Sequence, residues 1–361
     1  MRLRLAAVVM AVLTVGLGEV QAACTPASGA AHDLAVSWAA TCGGRPCGTL
    51  VDATARAKPP PPTAHCTDDV WHALTVALAR VRDAGGIILL GEVHDNPGHH
   101  EFRARLVDAL LDATDKRPGI VMEHVRADQK EALAAVSRPG GTGPATPEAF
   151  FEALAWPKSG WPDQAIFAPL VATLLGHDLS ILPGEPPRGV VRDMAMKGMA
   201  ALAAGDPLAP SLAEPLPDTL QSALLDELEA SHCGLMPRRA FGGMALAQRY
   251  RDAFQAAALL AARKAHGGAL LLAGNGHVRA DRGVPYYLRR LAPPAPMLSL
   301  QLVEREEGGR DAHVYVQRGP DGAPTADFFL ITPRTARPDP CDAMRARFKR
   351  RSAPPPPAKA P

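Results

Sequence analysis

Short apolar runs that alternate with helical patterns constrain the fold of this chain more than any other feature of its sequence. Residues 87–90 (IILL) and 269–273 (ALLLA) are apolar at every position, so both faces of these strands must be buried. Strands buried on both faces are typical of parallel sheets covered by helices. The pattern therefore predicts an α/β fold with a mostly parallel or mixed central sheet.

The same pattern places the elements along the chain. Helices are predicted at 101–113, through Leu170 and Leu175, and over most of 189–265. A helical portion of about 128–265 thus forms an insertion between the early and late strands. Strands are predicted at residues 87–90, 119–122, 179–182, 269–273, 297–304, 313–317 and 328–332.

Length and charge set broad limits on what the chain can do. Its 361 residues allow one large domain or two small ones, with ample apolar content for a buried core. The formal net charge is only +2, which is too small to recruit nucleic acid by charge alone. We therefore predict no nucleic-acid partner.

The two ends of the chain differ in composition from its middle. Residues 1–22 combine a basic start, an apolar run and small residues before a cleavage point, which predicts a signal peptide and export to the periplasm or outer membrane. Cys24 also follows a weak lipobox-like sequence, so a lipid anchor there is an alternative. Residues 23–67 are interpreted as an irregular Cys/Pro-rich leader, 68–335 as the α/β domain and 336–361 as a mobile Pro-rich basic tail.

Three predicted strands end in polar clusters, where α/β folds place their sites. The clusters contain Glu92 and His94 after the first strand, Glu123 and His124 after the second, and His277 with Arg279 after a late strand. Gly274 and Gly276 are expected to present His277 at the rim. His99 and His100 open the following helix, either as site residues or as ordinary polar residues of its first turn.

These residues also carry a resemblance to a known family. Residues 91–96 (GEVHDN) and 274–278 (GNGHV) resemble the ChaN-like haem-binding family of the Tiki superfamily. Residues 161–163 (WPD), 231–237 (SHCGLMP), 248–253 (QRYRDA) and 281–285 (DRGVP) resemble further segments of that family. The similarity covers about residues 70–300. It implies an exported, often lipid-anchored bacterial protein that binds haem and is associated with iron acquisition.

Haem binding implies a flat apolar slot, an axial ligand and cations for the propionates. We rank Tyr above His as the axial ligand, in the order Tyr250, then Tyr286 or Tyr287. His94, His232 and His277 are the alternatives. Arg192, Arg251 and Arg279 are the candidate propionate ligands. Met194, Met196 and Met199 either line the slot or fill the core. Cys233 is a buried thiol, a haem-side group or a disulfide partner of Cys341.

We interpret the chain as a haem-binding protein rather than an enzyme. Its ligand is expected to be haem. Further candidate partners are a second copy of the chain and an outer-membrane haem receptor. The alternative is a hydrolase in which Glu92, His94, Glu123 and His277 bind a divalent metal or form a general base. If these four residues form only a site, alanine at Glu92 and His277 is expected to leave folding largely intact.

Overall fold

Seven strands form the centre of the structure. The structure is a computed structural model, and it describes residues 48–54, 67–112, 114–136, 146–306 and 311–352. The strands are β1 (Thr49–Asp52), β2 (Ile87–Leu90), β3 (Gly119–Arg126), β4 (Ile181–Glu185), β5 (Ala269–Leu272), β6 (Met297–Arg305) and β7 (Phe328–Pro333). They form one sheet in the order β1-β7-β6-β2-β5-β3-β4. Every neighbouring pair is parallel except β1 and β7, which are antiparallel. The predicted fold class is therefore confirmed.

Helices cover both faces of this sheet in the described part of the chain. They are α1 (Thr67–Asp83), α2 (Pro97–Asp112), α3 (Lys130–Val136), α4 (Pro147–Ala153), α5 (Gln164–Gly176), α6 (Arg188–Lys197), α7 (Ala209–Ala213), α8 (Asp218–Ser231), α9 (Gly242–His266), α10 (Val284–Leu291) and α11 (Pro340–Ser352). The helices α6 to α9 form the insertion between β4 and β5, as the sequence predicts. None of the described helices is both long enough and apolar enough to cross a lipid bilayer.

The apolar runs form two cores, one on each side of the sheet. In β2, Ile88 and Leu90 join a core with α1, α2, α4 and α5, while Ile87 and Leu89 join a second core with α6, α8, α9 and α10. This alternation follows from the two-residue period of a strand. The helix α9 ends where Gly267 takes a left-handed conformation (φ 71°), which lets the chain turn directly into β5.

Two predicted strands differ from the observed ones. The strand predicted at 179–182 begins later, at Ile181, and extends through Pro183, which is tolerated because β4 is an edge strand. The strand predicted at 313–317 is wrong, because Ala312–Tyr315 forms a 3₁₀ turn. There, the Asp311 carboxylate accepts a hydrogen bond from the His313 N–H, while β7 is already paired on both sides.

Both terminal segments contribute more structure than the sequence indicates. Residues 49–52, within the predicted leader, form β1 and bury Leu50 and Val51 against β7. In the predicted mobile tail, α11 is joined to the end of α8 by the disulfide Cys233–Cys341. The signal peptide and Cys24, Cys42, Cys47 and Cys66 lie outside the described residues.

Candidate functional site

The topology of the sheet brings the three polar clusters together. The strands β2, β5 and β3 are consecutive neighbours in the sheet, and all three run parallel. Their carboxyl ends therefore meet at one edge. Glu92, His94, Glu123 and His277 lie there in one connected network, and whether they serve haem or catalysis stays a prediction.

Glu92 is a fully buried carboxylate surrounded by cationic and imidazole groups. Its Oε1 accepts from His94 Nδ1 at 2.7 Å and from His124 Nε2 at 2.9 Å. Its Oε2 accepts from the Arg103 guanidinium, and His100 Nδ1 lies 3.1 Å away. Burial alone would raise the pKa of the Glu92 carboxyl, but Arg103 and the imidazoles hold that pKa well below its ordinary value.

The surroundings of Glu92 are tightly enclosed. The side chains of Arg103, His100 and His124 have no exposed surface. Arg103 Nε and Nη1 and His124 Nδ1 have no hydrogen-bond partner in the described part of the chain. The neutralisation of Arg103 therefore depends on Glu92. The group formed by Glu92, Arg103, His100 and His124 thus contributes to the stability of the fold as well as to the candidate site.

Glu123 and His277 form the second half of the network. His277 Nδ1 donates to Asp252 Oδ1 at 2.6 Å, and its Nε2 lies 3.2 Å from Glu123 Oε1. Burial lowers the pKa of an imidazole, but these two carboxylates raise the pKa of His277 to about 10. The expectation that His277 lies at the rim is wrong, because Gln248 and Asp252 of α9 cover it and only 4% of its side chain is exposed.

His94 is the accessible member of the cluster. Its side chain is 38% exposed, its Nδ1 is held by Glu92, and its Nε2 makes no hydrogen bond to the residues that the structure describes. The ring fits because position 274 is glycine, where a Cβ would lie 2.8 Å from His94 Cε1. The imidazole packs edge-on against Trp161, at 4.9 Å between centroids.

A divalent metal fits this cluster poorly. One donor atom each from Glu92, His94 and His124 lies within 4.8 Å of the others, which is close enough for a shared ion. However, Glu92 already neutralises the buried guanidinium of Arg103, whose charge would repel a second cation. We therefore assign no metal to these residues.

A groove with a volume of about 430 Å³ lies beside the cluster, between α6 and α9. Each helix contributes one stripe of residues at i, i+3, i+4 and i+7, so each presents a single face to the groove. The stripe of α6 is Arg188, Val191, Arg192 and Ala195, and the stripe of α9 is Met244, Ala247, Gln248 and Arg251. The wall is completed by Ser159, Trp161, Leu228 and the strand-end residues Arg126 and Glu185.

The four arginines of the groove differ in their partners. Arg251 donates to Glu123 Oε1 at 2.6 Å and to Glu185 Oε2 at 2.7 Å, so two carboxylates neutralise it. Arg126 pairs with Asp128 at 2.9 Å. Arg188 and Arg192 are exposed and form no ion pair with a described residue, although Arg188 donates to the Ser159 carbonyl. These two lie one helical turn apart and present unpaired positive charge to the groove.

The predicted tyrosine ligands lie elsewhere. Tyr250, Tyr286 and Tyr287 are buried in the core on the α9 side of the sheet, and none of them lines the groove. Tyr287 Oη accepts from Arg249, and burial raises the Tyr287 pKa, which disfavours a tyrosinate. Tyr286 lies under the Arg290 guanidinium. The geometry therefore gives no support to ranking tyrosine above histidine.

Other predicted residues also have separate roles. His232 follows the end of α8, hydrogen-bonds the Leu228 carbonyl and packs on Phe241. Arg279 pairs with Asp281.

The predicted methionines and the histidines of α2 also differ in burial. Met194 is in the core, whereas Met196 is 76% exposed. His99 and His100 are fully buried rather than exposed in the first turn of α2. Of the predicted propionate ligands, Arg192 and Arg251 line the groove.

Sequence reasoning missed several residues that line the groove or support the cluster. Arg188 and Met244 gave only a weak signal, which was their helical spacing from Arg192 and Arg251. Arg103 also has a weak signal, which is its helical spacing from the apolar Leu106, Val107 and Leu110, but an arginine normally indicates a solvated face.

Comparisons with known proteins agree with this architecture. The solved structure of ChaN of Campylobacter jejuni, described as showing cofacial haem binding, has a TM-score of 0.56 and 17% identity over 80% of this chain and 97% of that chain. A succinoglycan biosynthesis protein (TM-score 0.38, 11% identity, 72% of this chain and 73% of that chain) and an erythromycin esterase mutant (0.34, 16%, 75% and 80%) are more distant. No curated protein sequence matches the chain.

The family model described as "Haem-binding uptake, Tiki superfamily, ChaN" matches residues 78–288. The matched segment is more than half of the chain, and it begins within α1 and ends within α10. It therefore contains the strand ends, both walls of the groove and the strands β2 to β5. The chain belongs to the ChaN family of haem-binding proteins in the Tiki superfamily.

Proposed function

We propose that this chain is an exported haem-binding protein that serves haem or iron uptake, and that haem binds in the groove between α6 and α9. The observation that carries this proposal is a pair of exposed arginines without an ion-pair partner in the described chain, Arg188 and Arg192, beside the apolar residues of the groove wall. A porphyrin with two propionates has the matching chemistry, a flat apolar ring with two carboxylates.

The residues of the groove fit most of this ligand. Val191, Ala195, Leu228, Met244 and Ala247 offer apolar contact to the ring. The indole of Trp161 adds an aromatic face. Bound haem would supply an iron centre. Met244 offers a thioether in the groove wall, and the His94 imidazole packs against Trp161 but does not line the groove.

Titration with haemin tests this proposal. Wild-type protein is expected to give a saturable shift of the Soret band together with quenching of tryptophan fluorescence. Replacing both Arg188 and Arg192 by glutamine is expected to weaken binding about 30-fold, at about 1 kcal/mol for each carboxylate contact in an open groove. Lys197→Gln is the matched control, because Lys197 is also on α6 but pairs with Asp193 outside the groove.

Two outcomes would contradict the proposal. A wild-type protein without saturable haemin binding would exclude haem as its ligand. Equal affinity in wild type and the double glutamine variant would exclude the groove. Export, the dimer and the outer-membrane receptor are further parts of this proposal, and an intact Met1 in protein from the native host would contradict export.

A Glu/His hydrolase is the second candidate function. The Glu92–His94 pair favours it, because His94 is 38% exposed and its Nδ1 is held by a carboxylate, as in a general base. Turnover of a small ester that His94→Gln abolishes, with haemin binding unchanged, would support this function. Wild-type protein without turnover would exclude esterase activity.

A further inference from the structure

We infer that the groove recognises the two carboxylates and the flat ring of its ligand rather than the iron, so that it binds dianionic porphyrins with or without a metal. This inference rests on the proposed function, because it concerns the same groove. It names a ligand class, porphyrin dicarboxylates, of which haem is one member. The argument depends on the donors that the groove contains and on the charges that it leaves unpaired.

The groove is poor in iron ligands. No tyrosine, histidine or cysteine is among the described residues that line it, and Met244 contributes the wall's thioether sulfur. A single thioether is a weaker ligand for ferric iron than the anionic or imidazole donors that usually hold haem. The tyrosines are buried in the core, and His94 packs against Trp161 but does not itself line the groove. Iron ligation can therefore contribute little to affinity here.

The groove is well supplied with carboxylate-binding groups. Arg188 and Arg192 share one face of α6, and neither forms an ion pair with a carboxylate of the described chain. Arg188 donates to the Ser159 carbonyl and contributes to the lowered pKa of Asp128, whose ion-pair partner is Arg126. Arg251, by contrast, is neutralised by Glu123 and Glu185. The unpaired charge of the wall is thus matched to a dianion, and guanidinium groups bind carboxylates with directed hydrogen bonds.

The walls select for a flat apolar body between these charges. Ala195 and Ala247 add small apolar side chains to the groove wall, beside the place where α9 approaches the Ala195 carbonyl closely at Gly243. Trp161 closes one side of the groove with an aromatic surface. None of these contacts depends on an ion at the centre of the ring, so the metal-free ring should make all of them.

The test compares three ligands on the same protein by fluorescence quenching: haemin, metal-free protoporphyrin IX, and the dimethyl ester of protoporphyrin IX. Protoporphyrin IX is expected to bind within about threefold of haemin, and the ester about 30-fold more weakly than the free acid. On the Arg188→Gln/Arg192→Gln variant, the acid and the ester should differ by less than about threefold. Met244→Leu removes the thioether but keeps an apolar side chain of similar volume, so it should change the affinities for haemin and protoporphyrin IX by the same factor.

The outcomes separate this inference from the proposed function. If haemin binds saturably and protoporphyrin IX does not, iron ligation dominates and the inference is overturned, while haem binding stands. If the ester binds as tightly as the acid, or if Met244→Leu weakens haemin alone, the inference is also overturned. If haemin itself fails to bind, the proposed function fails.

Discussion

Replacing Glu92 by alanine is expected to lower the free energy of unfolding by about 3–5 kcal/mol, measured by chemical denaturation at pH 7. Glu92 has no exposed side-chain surface, and its carboxylate neutralises the equally buried guanidinium of Arg103. Its removal would leave that charge unpaired, next to Nε and Nη1 atoms that already have no partner in the described part of the chain. An unpaired buried charge is among the most destabilising defects in a folded protein.

A surface pair on the same helix provides the control. Glu101 pairs with Arg105 at 3.0 Å, and the two side chains are 37% and 35% exposed, so Glu101→Ala should cost less than about 0.5 kcal/mol. The double variant Glu92→Leu/Arg103→Met should recover most of the loss, because it removes both charges together. A loss below about 1 kcal/mol for Glu92→Ala would show that Arg103 does not depend on Glu92.

This expected result reverses the interpretation of the sequence, which treats the strand-end residues as site groups whose removal leaves folding intact. The difference is due to Arg103. In the sequence, its helical spacing from Leu106, Val107 and Leu110 places it on the apolar face of the helix. That signal is outweighed because an arginine normally indicates a solvated face. The burial of His100 and His124 could not be predicted either, because burial of a polar side chain depends on which helix packs above it.

The fold itself could be predicted because two of its central strands are apolar at every position. The runs 87–90 and 269–272 correspond to β2 and β5, and their polar continuations meet because these strands are neighbours. In contrast, β1 is an edge strand of four residues beside Pro-rich sequence. It is too short for an alternation of apolar and polar residues to predict a strand. Its position depends on pairing with β7, which is about 280 residues away in sequence.

The groove could not be predicted, although each of its stripes is present in the sequence. Arg188, Arg192 and Ala195 have helical spacing, as do Met244, Gln248 and Arg251. However, spacing identifies a face and not the helix that lies opposite. Chemistry alone favours the tyrosines as ligands. In the structure, Tyr250 lies in the core, whereas its neighbour Arg251 donates to Glu123.

Acid is expected to destabilise the protein well above the range in which its carboxylates titrate, because His99 is buried as a neutral imidazole. Its Nδ1 accepts from the Val93 N–H at 2.9 Å, and its Nε2 donates to Thr332 Oγ1 at 2.8 Å. A proton on Nδ1 would break the first of these bonds. Burial lowers the pKa of His99 to about 3, and it lowers the pKa of His100 similarly.

The sign of the effect follows from these values. A folded-state pKa below the unfolded value of 6.5 contributes stability that is present above pH 6.5 and is lost as the pH falls toward 3. Each of the two histidines should thus cost about 2 kcal/mol by pH 5. The raised pKa of His277 does not add to this loss, because its contribution is fully present below pH 6.5.

Urea denaturation at pH 7 and pH 5 measures this loss, and His99→Asn isolates its source. Asparagine can still accept the Val93 N–H but cannot be protonated, so the variant should lose about 2 kcal/mol less than wild type between the two pH values. His72→Asn is the matched control, because His72 is exposed on α1, and its loss should equal that of wild type. If His99→Asn loses as much stability as wild type, the acid sensitivity belongs to His100, to His124 (whose pKa burial also lowers) or to the carboxylates, and His99 is not the neutral buried imidazole described above.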